Sequence, residues 1–145
     1  MQVLSQVCIN GLRALLYLSS QNRQSGYTGI KDMAQELGIS FHFLTKILQL
    51  LTQKGILLSY RGPNGGVALN VSPDKLVLLD IVYLFEGEDF FDTCLLGLPG
   101  CGEKKPCPVH AFWKDTKAAL KLEFETTTLA ALGEDIRLGN TRLME

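Results

Sequence analysis

The sequence predicts a mainly α-helical chain with one small β-hairpin, arranged as a winged helix-turn-helix followed by a long C-terminal helix. Three observations carry this prediction. Stretches of helical apolar spacing precede two short β-branched or aromatic runs, so the order is helix, helix, helix, hairpin. Ala34, Gly38 and Leu44 have the spacing a helix-turn-helix needs: a small residue for close approach, a glycine for the turn, and an apolar residue to lock the second helix on the first. The two β runs are joined by Arg61-Gly62-Pro63-Asn64-Gly65-Gly66, a Gly-rich hairpin tip.

In chain order, Ile9, Leu12, Leu15, Leu16 and Leu18 mark one apolar face of a first helix from about Ser5 to Ser20. Gln21 to Gly29 reads as a polar connector, with Thr28 placed to cap a helix from Ile30 to Leu37. Gly38 permits a turn, Ser40 can cap a third helix running to about Lys54, and Gly55 ends it. The hairpin strands run from Ile56 to Tyr60 and from Val67 to Val71. Ser72-Pro73-Asp74 opens a helix reaching about Phe85, since proline at the first helical position costs no hydrogen bond, and Gly87 closes it. Pro108 starts a long helix to about Glu125, Thr128 to Leu132 make a short final turn, and the tail from Gly133 reads as polar and loose. The expected organisation is a winged helix-turn-helix domain over residues 1–72, a helix, cysteine-rich loop and long helix over 73–132, and a flexible tail over 133–145.

With 145 residues, 46% of them apolar, the chain can bury a core without disulfides. No stretch approaches the roughly 18 apolar residues of a membrane span. The opening residues lack a basic leader and a small-residue cleavage site, so a reducing cytoplasm is the expected location. There, four cysteines have metal or redox roles ahead of disulfides. The net charge of −1 hides an asymmetry: residues 1–75 hold seven Lys/Arg against three Asp/Glu, and residues 76–145 seven against twelve. A basic N-terminal half suits a face that meets phosphate.

Every cysteine but Cys8 lies in Cys94-x6-Cys101-x5-Cys107-x2-His110, beside one of only two histidines. The loop between them is rich in Gly, Pro and Lys and has no apolar period that would place the thiols in a core. Four soft or borderline donors so close together are enough for zinc or an iron–sulfur cluster, with inert or disulfide-bonded thiols as the bland alternative.

At the other end, the third helix would lie in a major groove of double-stranded DNA with its N-terminal residues at base edges. Ser40, His42, Phe43, Thr45 and Lys46 would face outward, and Phe41, Leu44, Ile47 and Leu48 the core, with an inward Phe43 as the alternative. Arg61 at the hairpin root can enter a minor groove; around Asn64, Gly62, Gly65 and Gly66 let the backbone lie close to phosphate. An electron carrier would leave the turn and the hairpin unexplained. A Cys107–His110 nucleophile pair has no accompanying oxyanion-hole glycine motif or orienting residue, so no enzyme is expected.

The segment YRGPNGGVAL, the opening MQVLSQVCINGLRALLYL and the Cys-Cys-Cys-x2-His loop together resemble the Rrf-type winged-helix regulators, the family of IscR, NsrR, RirA and CymR, over about residues 1–132. The resemblance implies a homodimeric transcriptional regulator, often a repressor, sensing iron–sulfur, redox or nitric oxide status. It implies a pseudo-palindromic DNA operator, whose symmetry requires a two-fold dimer. It makes the long helix the dimerisation element, with Phe112, Ala119, Leu120 and Phe124 toward the partner. It matches Cys94, Cys101 and Cys107 to the family cysteines and His110 to the histidine of IscR-like members. That donor set favours [2Fe–2S] over [4Fe–4S], with zinc as the alternative. Two departures stand out. The first cysteine gap is one residue longer than in typical IscR sequences, and Thr45 stands where those members often carry a glutamate. Cys8 occupies the position from which an acidic residue of NsrR-like members reaches the partner's cluster, so it is either a fourth ligand in trans or a core thiol.

Overall fold

The computed structural model describes residues 1–21 and 26–145; of the connector, residues 22–25 lie outside the described residues. Helix α1 (Gln6–Ser20) starts at Ser5, whose hydroxyl accepts from the Cys8 amide at 3.2 Å, and it buries Ala14, Leu15, Tyr17 and Leu18. Helices α2 (Ile30–Leu37) and α3 (Phe41–Gln53) form the helix-turn-helix, with Gly38 in the left-handed region at φ 66°. Ser40 caps α3 by accepting from the Phe43 amide, and Leu44, Ile47, Leu48 and Leu51 pack inward. Arg13 donates to the Leu37 carbonyl at 2.6 Å and Tyr17 to the Glu36 carboxylate at 2.6 Å, so α1 fixes the end of α2.

Strands β1 (Leu57–Tyr60) and β2 (Gly66–Leu69) pair antiparallel with Leu57 opposite Leu69 and Tyr60 opposite Gly66. Thr28 was expected to cap α2. The cap is Gly29, without a side-chain bond, and Thr28 instead pairs with Val67 through two backbone hydrogen bonds of 2.8 and 2.9 Å. That bridge lashes the hairpin to the start of α2.

The helix expected from Ser72 is interrupted. Pro73–Lys75 makes a single 3-10 turn, Leu76 and Val77 are extended, and α4 (Leu78–Glu86) follows. The break has a distant cause: Leu78 donates to the Thr127 carbonyl at 3.0 Å and Leu129 to that of Leu76 at 2.9 Å. Helix α5 (His110–Thr126) is the predicted long helix, beginning two residues after Pro108.

The loose tail expected from Gly133 is instead the second half of a helix, α6 (Leu129–Arg137), capped by the Thr128 hydroxyl. Leu129 is fully buried. A Cβ at Gly133 would fall 2.3 Å from the Ser19 hydroxyl, so glycine is what lets α6 lie on α1. Leu143 also packs on the core, and one apolar cluster runs from Ala14 to Leu129 across the expected domain boundary. No described helix is long and apolar enough to cross a membrane.

Candidate metal centre and nucleic-acid interface

Short turns fold the cysteine loop. A 3-10 turn (Phe90–Asp92) delivers the chain to Cys94. The Gly97 amide donates back to the Cys94 carbonyl at 3.0 Å and that of Cys101 to Leu98 at 3.4 Å, so two successive four-residue turns fill the long first gap. A third turn spans Gly102 to Lys105, and a fourth carries Cys107 to His110, whose amide donates to the Cys107 carbonyl at 3.1 Å. The three sulfurs therefore lie within 4.8 Å of one another. Cys94 and Cys107 are 3.7 Å apart, and His110 Nδ1 is 3.5 Å from the Cys101 sulfur.

The electrostatics favour deprotonating part of this group. The backbone N–H of Leu98, then that of Leu96 and the other two thiols, hold the Cys94 thiol down at about 7. The Cys107 backbone N–H pulls Cys101 down as well, but burial and its neighbouring thiols outweigh it and leave that thiol raised. The thiolate is the ligand form, and Cys94 is the thiol this environment favours in that form. Three soft sulfurs with an imidazole nitrogen beside them fit zinc or an iron–sulfur group by donor chemistry.

Sequence reasoning gives no partner for the imidazole; the structure supplies one. His110 Nε2 lies 3.4 Å from the Glu103 carboxylate, which pairs with Lys114 at 2.5 Å. Lys114 first, then His110, hold that carboxyl below its ordinary range. The sulfur group does not include Cys8. Burial, then the Glu86 carboxylate, push its thiol up to about 12 in the first turn of α1.

On the face expected to read DNA, Ser40, His42 and Lys46 are exposed and Thr45 is half-buried. Phe43 takes its inward alternative and packs on the core, whereas Phe41, expected to face the core, is 47% exposed. Positions 43, 44, 47, 48 and 51 share the inward face. Arg61, Gly62 and Asn64 are exposed at the tip. Gly65 and Gly66 are half-buried and serve the fold: a Cβ would fall 2.2 Å from the Tyr60 carbonyl oxygen and 1.9 Å from that of Thr28, respectively. An open cleft between α3 and the hairpin is lined by Phe41, Thr45, Gln49, Tyr60 and Arg61. Tyr27 stacks on Tyr60 at 5.4 Å, a pairing across distant segments that no local pattern signals.

The four α5 residues divide between two sides. Phe124 meets the Phe91 ring at 5.8 Å. Trp113 and Lys117, on the same helical stripe, donate to the Thr93 carbonyl at 3.0 and 2.9 Å. Leu120 falls on this inward stripe and is half-buried. Phe112 and Ala119 lie on the open side with Leu122, which is 59% exposed and carries no mark in sequence distinguishing it from its neighbours.

An HTH-type transcriptional regulator of Aquifex aeolicus is 34% identical over 123 residues, covering 83% of this chain and 84% of that relative. The HTH-type transcriptional regulator IscR of Cronobacter sakazakii is 28% identical over 111 residues, 77% of this chain and 68% of that one. Among solved structures, CymR, the global cysteine regulator of B. subtilis, superposes with a TM-score of 0.75 at 26% identity, over 92% of this chain and 97% of that chain. The Rrf2 family, described as iron-dependent transcriptional regulators, matches residues 4–135. Since that match runs from just before α1 into α6, the chain belongs to the Rrf2 family of transcriptional regulators.

Proposed function

We propose that the protein is a homodimeric regulator that reads duplex DNA with α3 and the hairpin wing and is controlled by an iron–sulfur cluster held by Cys94, Cys101, Cys107 and His110. The observation that carries this reading is the convergence of three thiols within 4.8 Å, with His110 alongside, in a chain whose other end is a winged helix-turn-helix. The Cys3His donor set favours [2Fe–2S] over [4Fe–4S]. When bound, such a cluster supplies a redox-active centre sensitive to iron supply, oxidants and nitric oxide.

The chain's own residues provide the rest. His110 is the first residue of α5, and Thr93, next to Cys94, is held by Trp113 and Lys117 of the same helix. A change in the loop is therefore felt directly by α5. The exposed Phe112, Ala119 and Leu122 would join α5 to its copy, so the same helix would set the spacing of the two reading heads. On each head, Ser40, His42, Thr45 and Lys46 would face bases and phosphates of the major groove, and Arg61, with Asn64 beside it, the adjacent minor groove. Control then needs only that DNA prefer one of the two states by a few kcal/mol.

Purification without oxygen, followed by iron and sulfide analysis and visible spectroscopy, tests the centre. A brown protein with matching iron and sulfide is expected; a colourless one holding stoichiometric zinc would replace this reading with a zinc-stapled regulator. Enrichment of a randomised duplex pool by the protein with and without its centre tests the rest. The expected product is a pseudo-palindrome with half-sites about one helical turn apart, and failure to enrich any duplex in either state would overturn the DNA-reading assignment.

A further inference from the structure

We infer that Phe41 and Thr45 form an apolar strip on the reading helix that selects thymine by its C5 methyl group. This deepens the DNA-reading assignment above and rests on it. Phe41 is the first residue of α3, where a major-groove helix places the side chains that meet base edges. The core does not need it: Phe43 packs there, and Phe41 is left 47% exposed, with the His42 ring at 5.8 Å in an edge arrangement. Exposing a phenyl ring there forgoes apolar burial that a bound base would restore.

Thr45 reinforces the strip. One helical turn on, its hydroxyl donates to the Phe41 carbonyl at 2.7 Å. With that proton committed to the helix, Thr45 offers its methyl group and an acceptor oxygen but no donor. Phe41, Thr45 and Gln49, spaced by four, all line the cleft of about 890 Å³ that opens toward Tyr60 and Arg61 of the wing. Among the groups on the major-groove edge, the thymine methyl is the apolar one, and phenyl rings and threonine methyls are side-chain groups that contact it. A reader built this way discriminates thymine from uracil, which polar side chains at the same place would not do.

The test uses the full chain and the duplex it enriches from a random pool, with each thymine replaced in turn by deoxyuridine. At one or two positions per half-site, removing the methyl should weaken wild-type binding about fourfold, the effect of one lost apolar carbon. Phe41→Ser should bind the thymine and uracil duplexes alike at those positions, whereas Phe41→Leu should keep part of the difference. Circular dichroism checks that the helices persist, as expected for an exposed position. Equal affinity of the wild type for every thymine and uracil pair would overturn the methyl reading alone. So would discrimination that survives Phe41→Ser undiminished. If no duplex is enriched at all, the DNA-reading assignment fails and the strip falls with it.

Discussion

Replacing Gly66 by alanine separates the two uses of the glycine-rich wing. The new Cβ would lie 1.9 Å from the Thr28 carbonyl oxygen and 2.9 Å from the Gly29 nitrogen, at a φ of +152°. Both obstacles are backbone atoms, so no rotamer change relieves the clash. Relief requires parting the wing from Thr28, which breaks the hydrogen bonds of 2.8 and 2.9 Å between Thr28 and Val67. Two backbone bonds are worth about 0.5–1.5 kcal/mol each, and a side chain in glycine-only backbone space costs about 1–3 kcal/mol. The loss should therefore be roughly 2–6 kcal/mol. Urea unfolding followed by far-ultraviolet circular dichroism should show a lower midpoint, and the Thr28 and Val67 amides should exchange faster. Asn64→Ala, at the exposed tip, should leave both unchanged. An unaltered midpoint with protected amides in Gly66→Ala, accompanied by lost DNA binding, would show that this glycine acts at the DNA and not within the fold.

Three further outcomes are expected. Cys94→Ala, Cys101→Ala and Cys107→Ala should each abolish the visible absorption of anaerobically purified protein, and His110→Ala should weaken or shift it; a bleached Cys8→Ala with an unchanged His110→Ala would move the fourth ligand to Cys8. Leu122→Asp or Phe112→Asp should sediment as a folded monomer, since a buried unpaired charge costs several kcal/mol at an apolar seam, whereas Phe124→Asp should destabilise the subunit itself through its Phe91 contact; a wild type that is monomeric at micromolar concentration would refute the seam. Lys46→Ala should lower affinity across all duplexes and reduce the salt slope by about one, while Arg61→Ala should weaken A·T-flanked sites most; equal losses on A·T- and G·C-flanked duplexes would refute the minor-groove role of Arg61.

The helix-turn-helix was legible because its signals are local: apolar spacing, a capping Ser40 and a left-handed Gly38 all act within a few residues. Where the sequence reading fails, the deciding contact is distant. The break at Leu76 and Val77 comes from pairing with residues 127–129, about fifty positions away, and nothing in Ser72-Pro73-Asp74 announces it. Helix α6 had a readable period in Leu129, Leu132 and Ile136. Gly133 looks like a stop, yet here it is the contact point on Ser19. Phe41 and Phe43 are both aromatic and flank the inward face of α3 on opposite sides, so apolar spacing alone does not decide which ring turns inward. The cysteine spacing marks the candidate donors, but the turns that bring their sulfurs together depend on backbone hydrogen bonds that spacing alone does not specify.

On the proposed reading, helix α5 would join the donor loop and the open apolar stripe into one device. The helix is 17 residues long, about 25 Å at 1.5 Å per residue. His110 stands at its first position, and Phe112, Ala119 and Leu122 occupy the open side of the following turns. The inward side is held at Thr93 through Trp113 and Lys117, and at Phe91 through Phe124. If His110 ligates the proposed centre, a rod held along one side would answer a change at that end by tilting. Such a tilt would carry the open stripe with it, and in the proposed two-fold dimer each change would be applied twice, so a small displacement at the loop would become a doubled change in the separation of two wings. DNA with half-sites at a fixed spacing registers that separation as affinity, which is how a centre at the far end of the fold could govern contacts made by α3.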